Sequence, residues 1–173
     1  DEFKKEAEDK NLIAPKFEDL ARLHYICETT KVDSILEYGC GFSTYIFHNY
    51  LSKTSNNSEK NTSKFLQVFE VHKNFLELAT SRLKESPINL KTSFKNCKIV
   101  YDFSRNDGSH YYEAKYSFLP DLIYLDGPSH FDVPHFEIHE NSLNTFSLNT
   151  RPSISSDILS IESWLSPGTI LVI

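Results

Sequence analysis

The sequence predicts an α/β fold: a mostly parallel sheet with helices on both faces, truncated after the fifth strand. Three observations carry this. Short apolar stretches alternate with helix-patterned ones, the sign of strand–helix crossovers. Asp121 to Asp126 (DLIYLD) is nearly continuous in apolar residues, as a strand covered on both faces must be. Val32 to Leu51 (VDSILEYGCGFSTYIFHNYL) runs from a strand through a Gly39-Cys40-Gly41 turn into a helix, the junction where such sheets place ligands.

The elements follow in order. Residues 1–11 are a charged lead-in, and Phe17 to Cys27 places Leu20, Leu23, His24 and Cys27 at helical spacing. Ser34 to Glu37 is the first strand, and Ser43 or Thr44 opens a helix to about Leu51. Residues 52–64 have no apolar member and read as a solvated loop. Phe65 to Val71 is the second strand, Lys73 to Glu85 a helix, and Cys97 to Phe103 (CKIVYDF) the third strand. The Tyr-rich stretch 104–119 lacks helical periodicity and suits a loop or hairpin. Asp121 to Asp126 is the fourth strand, and 127–155 a long polar and aromatic excursion of the kind that serves as a functional loop. Ser155 and Ser156 are placed to cap a helix from Asp157 to about Leu165, and Pro167-Gly168 turns into a fifth strand, Thr169 to Ile173.

The 173 residues suffice for one domain with a core. One domain, 1–173, is expected: a helical lead-in over 1–30 and a core over 31–173. The chain opens on Asp1 and stops inside a strand pattern at Ile173, so a piece of a longer protein lacking its C-terminal strands is expected. At 39% hydrophobic, 24% charged and net −6, the composition is that of a soluble globule with no basic field for nucleic acid. No apolar run approaches the roughly 20 residues that span a bilayer. Cys27, Cys40 and Cys97 are odd in number and widely spaced, reading as free thiols in a reducing compartment. A cytoplasmic location is therefore expected, without membrane or nucleic-acid partners. Oligomeric state is left open.

Glu37 sharpens the reading of the turn. Most nucleotide sites built on a glycine turn at a helix start cradle a phosphate. A carboxylate about 5 Å away at an effective dielectric of roughly 20 would repel it by about 3 kcal/mol. The turn suits a ligand bearing hydroxyls and positive charge, such as S-adenosylmethionine.

Four places together resemble the class I S-adenosylmethionine-dependent methyltransferases, whose fold is Rossmann-like. ILEYGCGFST is similar to the family's first motif and Glu70 in QVFEVHKNF to the acid ending the second strand. Asp126 in DLIYLDGPSH is similar to the acid ending the fourth, and SPGTILVI to the entry to the fifth. The resemblance spans roughly Val32 to Ile173. It implies S-adenosylmethionine as cofactor, held by Glu37, Gly39, Cys40, Gly41, Ser43, Thr44, Glu70 and Val71. Glu70 would grip the ribose hydroxyls, and Val71 and His72 would flank the adenine. Asp102, with Asp107 as competitor, is the third-strand candidate for adenine N6.

Asp126 is both a cofactor-side and a catalytic candidate: orienting the acceptor, taking its proton, or simply holding the Gly127-Pro128 turn. His130 is the candidate general base, since its ordinary pKa lies near operating pH. His130, His135 and His139 with Glu137 and Glu140 match no compact zinc signature, so no metal is expected. Tyr111, Tyr112, Tyr116, Phe131 and Phe136 either pack or line an acceptor pocket. The implied function is methyl transfer to oxygen or nitrogen of a small molecule or saccharide. Two rivals stand beside it: a non-catalytic module of the same fold, and an NAD-dependent oxidoreductase, which Glu37 and Thr44 at the third glycine position disfavour.

Overall fold

The computed structural model describes residues 15–57, 64–84, 91–102, 109–113, 115–127, 135–136, 151–152 and 154–173. Helix α1 (Phe17–Thr30) precedes β1 (Ser34–Tyr38), α2 (Phe42–Asn57), β2 (Phe65–Glu70), α3 (Lys73–Lys84) and β3 (Lys91–Asn96). There follow β4 (Ile99–Asp102), β5 (Ser109–Tyr112), β6 (Leu122–Leu125), β7 (His135–Phe136), β8 (Arg151–Pro152) and β9 (Ile154–Ser155). Helix α4 (Asp157–Ile161), a 3-10 turn (Glu162–Trp164) and β10 (Ile170–Val172) complete the described chain.

Five strands form one parallel sheet in the order β10-β6-β1-β2-β3. The architecture is α/β and Rossmann-like, as expected. Strand order reverses at β1: β2 and β3 lie to one side, β6 and β10 to the other. Connections therefore leave β1 and β6 in opposite directions and open a crevice at their carboxyl ends.

All five residues of β1 are buried, as a central strand requires. Its alternation sorts two cores. Ile35, with Leu66, Val68 and Leu122, packs under Leu23 and Cys27 of α1 and Phe47 and Leu51 of α2. Leu36 and Tyr38, with Phe69 and Ile123, pack against Cys97, Tyr112 and Ile161. By that parity Glu37 points to the side covered by α2.

The third strand differs from its expected position. It is Lys91–Asn96 (KTSFKN), which among the described residues is an edge strand paired with β2 alone. An edge needs little apolar surface, and Phe94 alone packs onto the core, so its sequence lacks the apolar run that marks an inner strand. At Cys97, whose N–H donates to Glu70 O at 2.9 Å, the chain leaves this sheet. The apolar run IVYD becomes β4, antiparallel to β5 in a separate three-stranded sheet with β9. This small sheet and α4 cover the second face in place of a crossover helix.

Two helix limits also differ. Helix α2 runs past Leu51 to Asn57, with the Thr54 hydroxyl bonding back to Tyr50 O and Leu51 O. Helix α4 is short, and Ser156 makes no side-chain cap. Asp157 instead accepts the Tyr112 N–H at 2.8 Å and the Ser155 hydroxyl at 2.8 Å, joining α4 to β5.

At the amino ends of the strands, Asp121 Oδ2 accepts Asp33 N–H, Ser34 N–H and Ser34 Oγ–H at 2.9–3.0 Å. One side chain thus sets the register of β6 against β1. Asp121→Ala is expected to lower stability by about 1–2 kcal/mol, measured by urea unfolding.

Candidate functional site

The loops after β1, β2 and β6 converge at the crevice, and their backbones meet at Gly39. This residue has φ +85°, and a Cβ built on it would lie 3.1 Å from both Asp126 C and Gly127 N. Left-handed backbone and close approach both demand glycine there. Gly41 is different. No positive φ constrains it, and a Cβ on it would meet nothing within 4 Å. The fold does not require glycine at this position, so the bare backbone faces free space.

Glu70, the last residue of β2, is buried. Its Oε2 accepts the Cys40 N–H and its Oε1 the His72 N–H, both at 2.8 Å. One carboxylate thereby ties the β1–α2 turn to the β2–α3 turn. Glu37, expected among the residues holding the cofactor, is fully buried behind the turn, and its Oε1 accepts Ser43 Oγ–H at 2.5 Å. Its Oε2 is buried without a hydrogen-bond partner. Thr44 Oγ1 accepts the Gly41 N–H at 3.0 Å, satisfying a free donor at the start of α2 as capping side chains do.

These groups bound a cavity of about 470 Å³. Its floor is Gly39, Cys40, Gly41, Ser43, Glu70 and Val71, and Asp126 and Gly127 close one side. Helix α1 contributes Lys16, Asp19, Leu20 and Leu23, and α3 contributes Phe75, Leu78 and Arg82. Arg82 stands over the Phe42 ring, 4.2 Å from its centroid.

Acids gather at this end of the cavity, with the cations Arg82 and Lys16 also on its wall. Burial pushes Glu37 up to about 8, opposed by the Ser43 and Thr44 hydroxyls and reinforced by Asp126 and Glu70. Loss of solvent also raises Asp126, although it sits at the solvent-accessible rim; the Tyr124 hydroxyl opposes this and Glu70 adds to it. Burial, then Glu70 and Glu37, push the Cys40 thiol up, so it stays a neutral thiol rather than a nucleophile.

Of the residues expected at a cofactor, the structure brings Gly39, Cys40, Gly41, Ser43, Glu70, Val71 and Asp126 to the cavity wall. Glu37 and Thr44 are buried just behind it. Asp102, the third-strand candidate, ends β4 in the other sheet, its backbone paired with Ser109, because the chain leaves the main sheet at Cys97. His130, Asp107, His139, Glu137 and Glu140 lie outside the described residues. Of the aromatic set, Tyr112 lines the cavity, whereas Tyr116 bonds hydroxyl to hydroxyl with Tyr38 at 2.9 Å. Residue-by-residue reading missed Phe42, Arg82, Tyr124 and the α1 wall. The helical spacing of Leu20 and Leu23 signalled a buried face, with no sign of what it covers.

No model of a known protein family and no curated protein matches the chain. Among solved structures it is similar to the O-methyltransferase TomG from Streptomyces achromogenes, involved in tomaymycin synthesis and crystallised in complex with SAM. The two are 16% identical with a TM-score of 0.44, over 72% of this chain and 51% of that one. The chain thus spans about half the length of that structure.

Two substitutions separate architecture from ligand space. Gly39→Ala is expected to cost at least about 2 kcal/mol through strained backbone and contact with the β6 turn. Gly41→Ala should stay within about 1 kcal/mol of wild type; urea unfolding of both checks the contrast. Glu37 gives a pH signature. Its folded pKa, about 8, exceeds the ordinary 4.5, so the folded state binds the extra proton and this group's contribution is lost as pH rises through 8. Between pH 6.5 and 7 stability should fall by about 1.4 kcal/mol per unit, easing to about half that at pH 8, and this fall should largely vanish in Glu37→Gln, read from urea unfolding free energies.

Proposed function

We propose that this domain binds S-adenosylmethionine in the cavity at the β1 and β6 carboxyl ends and transfers its methyl group to oxygen or nitrogen of a small molecule or saccharide. The observation that supports this best is Gly41: glycine where the fold needs none, opening onto a cavity whose wall includes Glu70 and Asp126. A bare backbone edge is what close ligand approach requires, and acids beside it favour an ammonium and a sulfonium over a pyrophosphate.

The donor supplies a methyl group already activated on sulfur, so the protein's work is alignment and proton handling. A carboxylate accepts about four hydrogen bonds, and Glu70 spends two on Cys40 and His72. The remaining capacity is oriented by those two and suits a pair of ribose hydroxyls. Val71 and His72 follow directly and offer a flank for the base. The Gly41 backbone lets the chain of the ligand pass close to the sheet. Asp126, at the rim with its pKa raised, is set to take a proton from an acceptor hydroxyl or amine. Leu20, Leu23 and Phe75 give the acceptor an apolar wall that limits water.

One observation favours the dinucleotide alternative: Arg82 and Lys16 both line the cavity and offer cations to a phosphate. Calorimetric titration with S-adenosylhomocysteine and with NAD distinguishes the two. Micromolar binding of the former alone is expected, falling at least tenfold in Gly41→Ala. NAD binding alone would replace this reading with hydride chemistry. Cofactor binding without methyl transfer to any acceptor in an extract would favour a binding module.

A further inference from the structure

The small sheet that replaces a crossover helix brings a tyrosine to the cavity wall in an unusual state. Tyr112, the last residue of β5, is 2% exposed, lines the cavity, and its hydroxyl is buried without a hydrogen-bond partner. A buried hydroxyl left unpaired is costly, and a phenylalanine would pack as well. The other neutral hydroxyls around the glycine turn are engaged: Ser43 donates to Glu37, Thr44 accepts from Gly41, and Tyr124 faces Asp126.

Tyr112 is also held firmly. Its N–H is bound by Asp157, and its ring packs on Tyr38 at 5.3 Å between centroids. The hydroxyl comes up against Gly127: a Cβ built there would stand 2.9 Å from it. The Gly39–Gly127 contact and the phenol thus share one corner of the cavity, within electrostatic reach of Glu70. Burial drives the Tyr112 pKa well above its ordinary value, so the group acts as a neutral donor and not as a base.

We infer that Tyr112 is a ligand-binding residue whose hydroxyl donates a hydrogen bond to an oxygen or nitrogen acceptor on the nucleoside part of the bound molecule, beside the hydroxyls held by Glu70. The choice of nucleoside rests on the function proposed above; the unpaired donor does not. With carboxyl groups predominating around it, the wall is rich in acceptors, and Tyr112 supplies a fixed neutral donor. That arrangement discriminates for a ligand carrying both hydroxyls and acceptor atoms.

Tyr112→Phe removes the oxygen and keeps the ring. Wild type and variant are compared by thermal melting without ligand, then by titration with S-adenosylhomocysteine, adenosine and methionine. The expected result is an unchanged or higher melting midpoint, five- to twentyfold weaker binding of S-adenosylhomocysteine and adenosine, and unchanged methionine binding. A midpoint several degrees lower would make the hydroxyl structural and overturn the assignment, as would equal affinities in the two proteins. If folded wild type binds neither adenosyl probe, the adenosyl reading fails by itself. The melting comparison then decides Tyr112: an unchanged or raised midpoint keeps the hydroxyl as a donor the fold does not use, and a lowered one removes it.

Discussion

The N–H groups of Cys40 and His72 both end on the Glu70 carboxylate, and the shape of the crevice follows from that shared acceptor. Without it the turns after β1 and β2 would be joined only by strand pairing below them. With it, the backbone at Gly41 and the start of α3 are fixed relative to one another. Glu37 acts one layer deeper, drawing the first turn of α2 onto β1 through Ser43. Gly39 completes the arrangement by letting the β6 turn approach within van der Waals contact.

These constraints place three carboxyl groups at one end of the sheet, and they cannot all carry charge cheaply. Burial makes Glu37 the one that keeps its proton near neutral pH, while Glu70 holds backbone and Asp126 meets solvent. The division follows depth: the deepest acid structures the turn, the middle one bridges turns, and the outermost is free to exchange protons. Arg82, stacked over Phe42, and the exposed Lys16 add cations to the same cavity wall.

The parallel order, the glycine turn and Glu70 were legible because inner strands and close-approach glycines leave local marks: apolar runs, G-x-G, an acid at a strand end. The third strand was not legible. KTSFKN satisfies an edge position with one apolar side chain, and the stronger run IVYD belonged to a different sheet, which carried the Asp102 backbone out of the main one. Arg82 and the α1 wall reach the site through packing between distant segments, which no local pattern records. The 2% exposure of Tyr112, and hence its unpaired hydroxyl, is likewise a property of the folded corner alone. His130 lies outside the described residues, so of the two catalytic expectations only Asp126 has a described position.

The central claim is that an adenosyl ligand sits on the bare edge at Cys40–Gly41 with Glu70 beneath it. Backbone amide NMR during titration with S-adenosylhomocysteine tests this most directly. The account predicts saturable shifts concentrated at Cys40, Gly41, Val71, His72 and Gly127, with Ile170–Val172 and the Asp121 corner unmoved. Shifts confined to residues away from the crevice, or no shifts at saturating ligand on a folded sample, would contradict it.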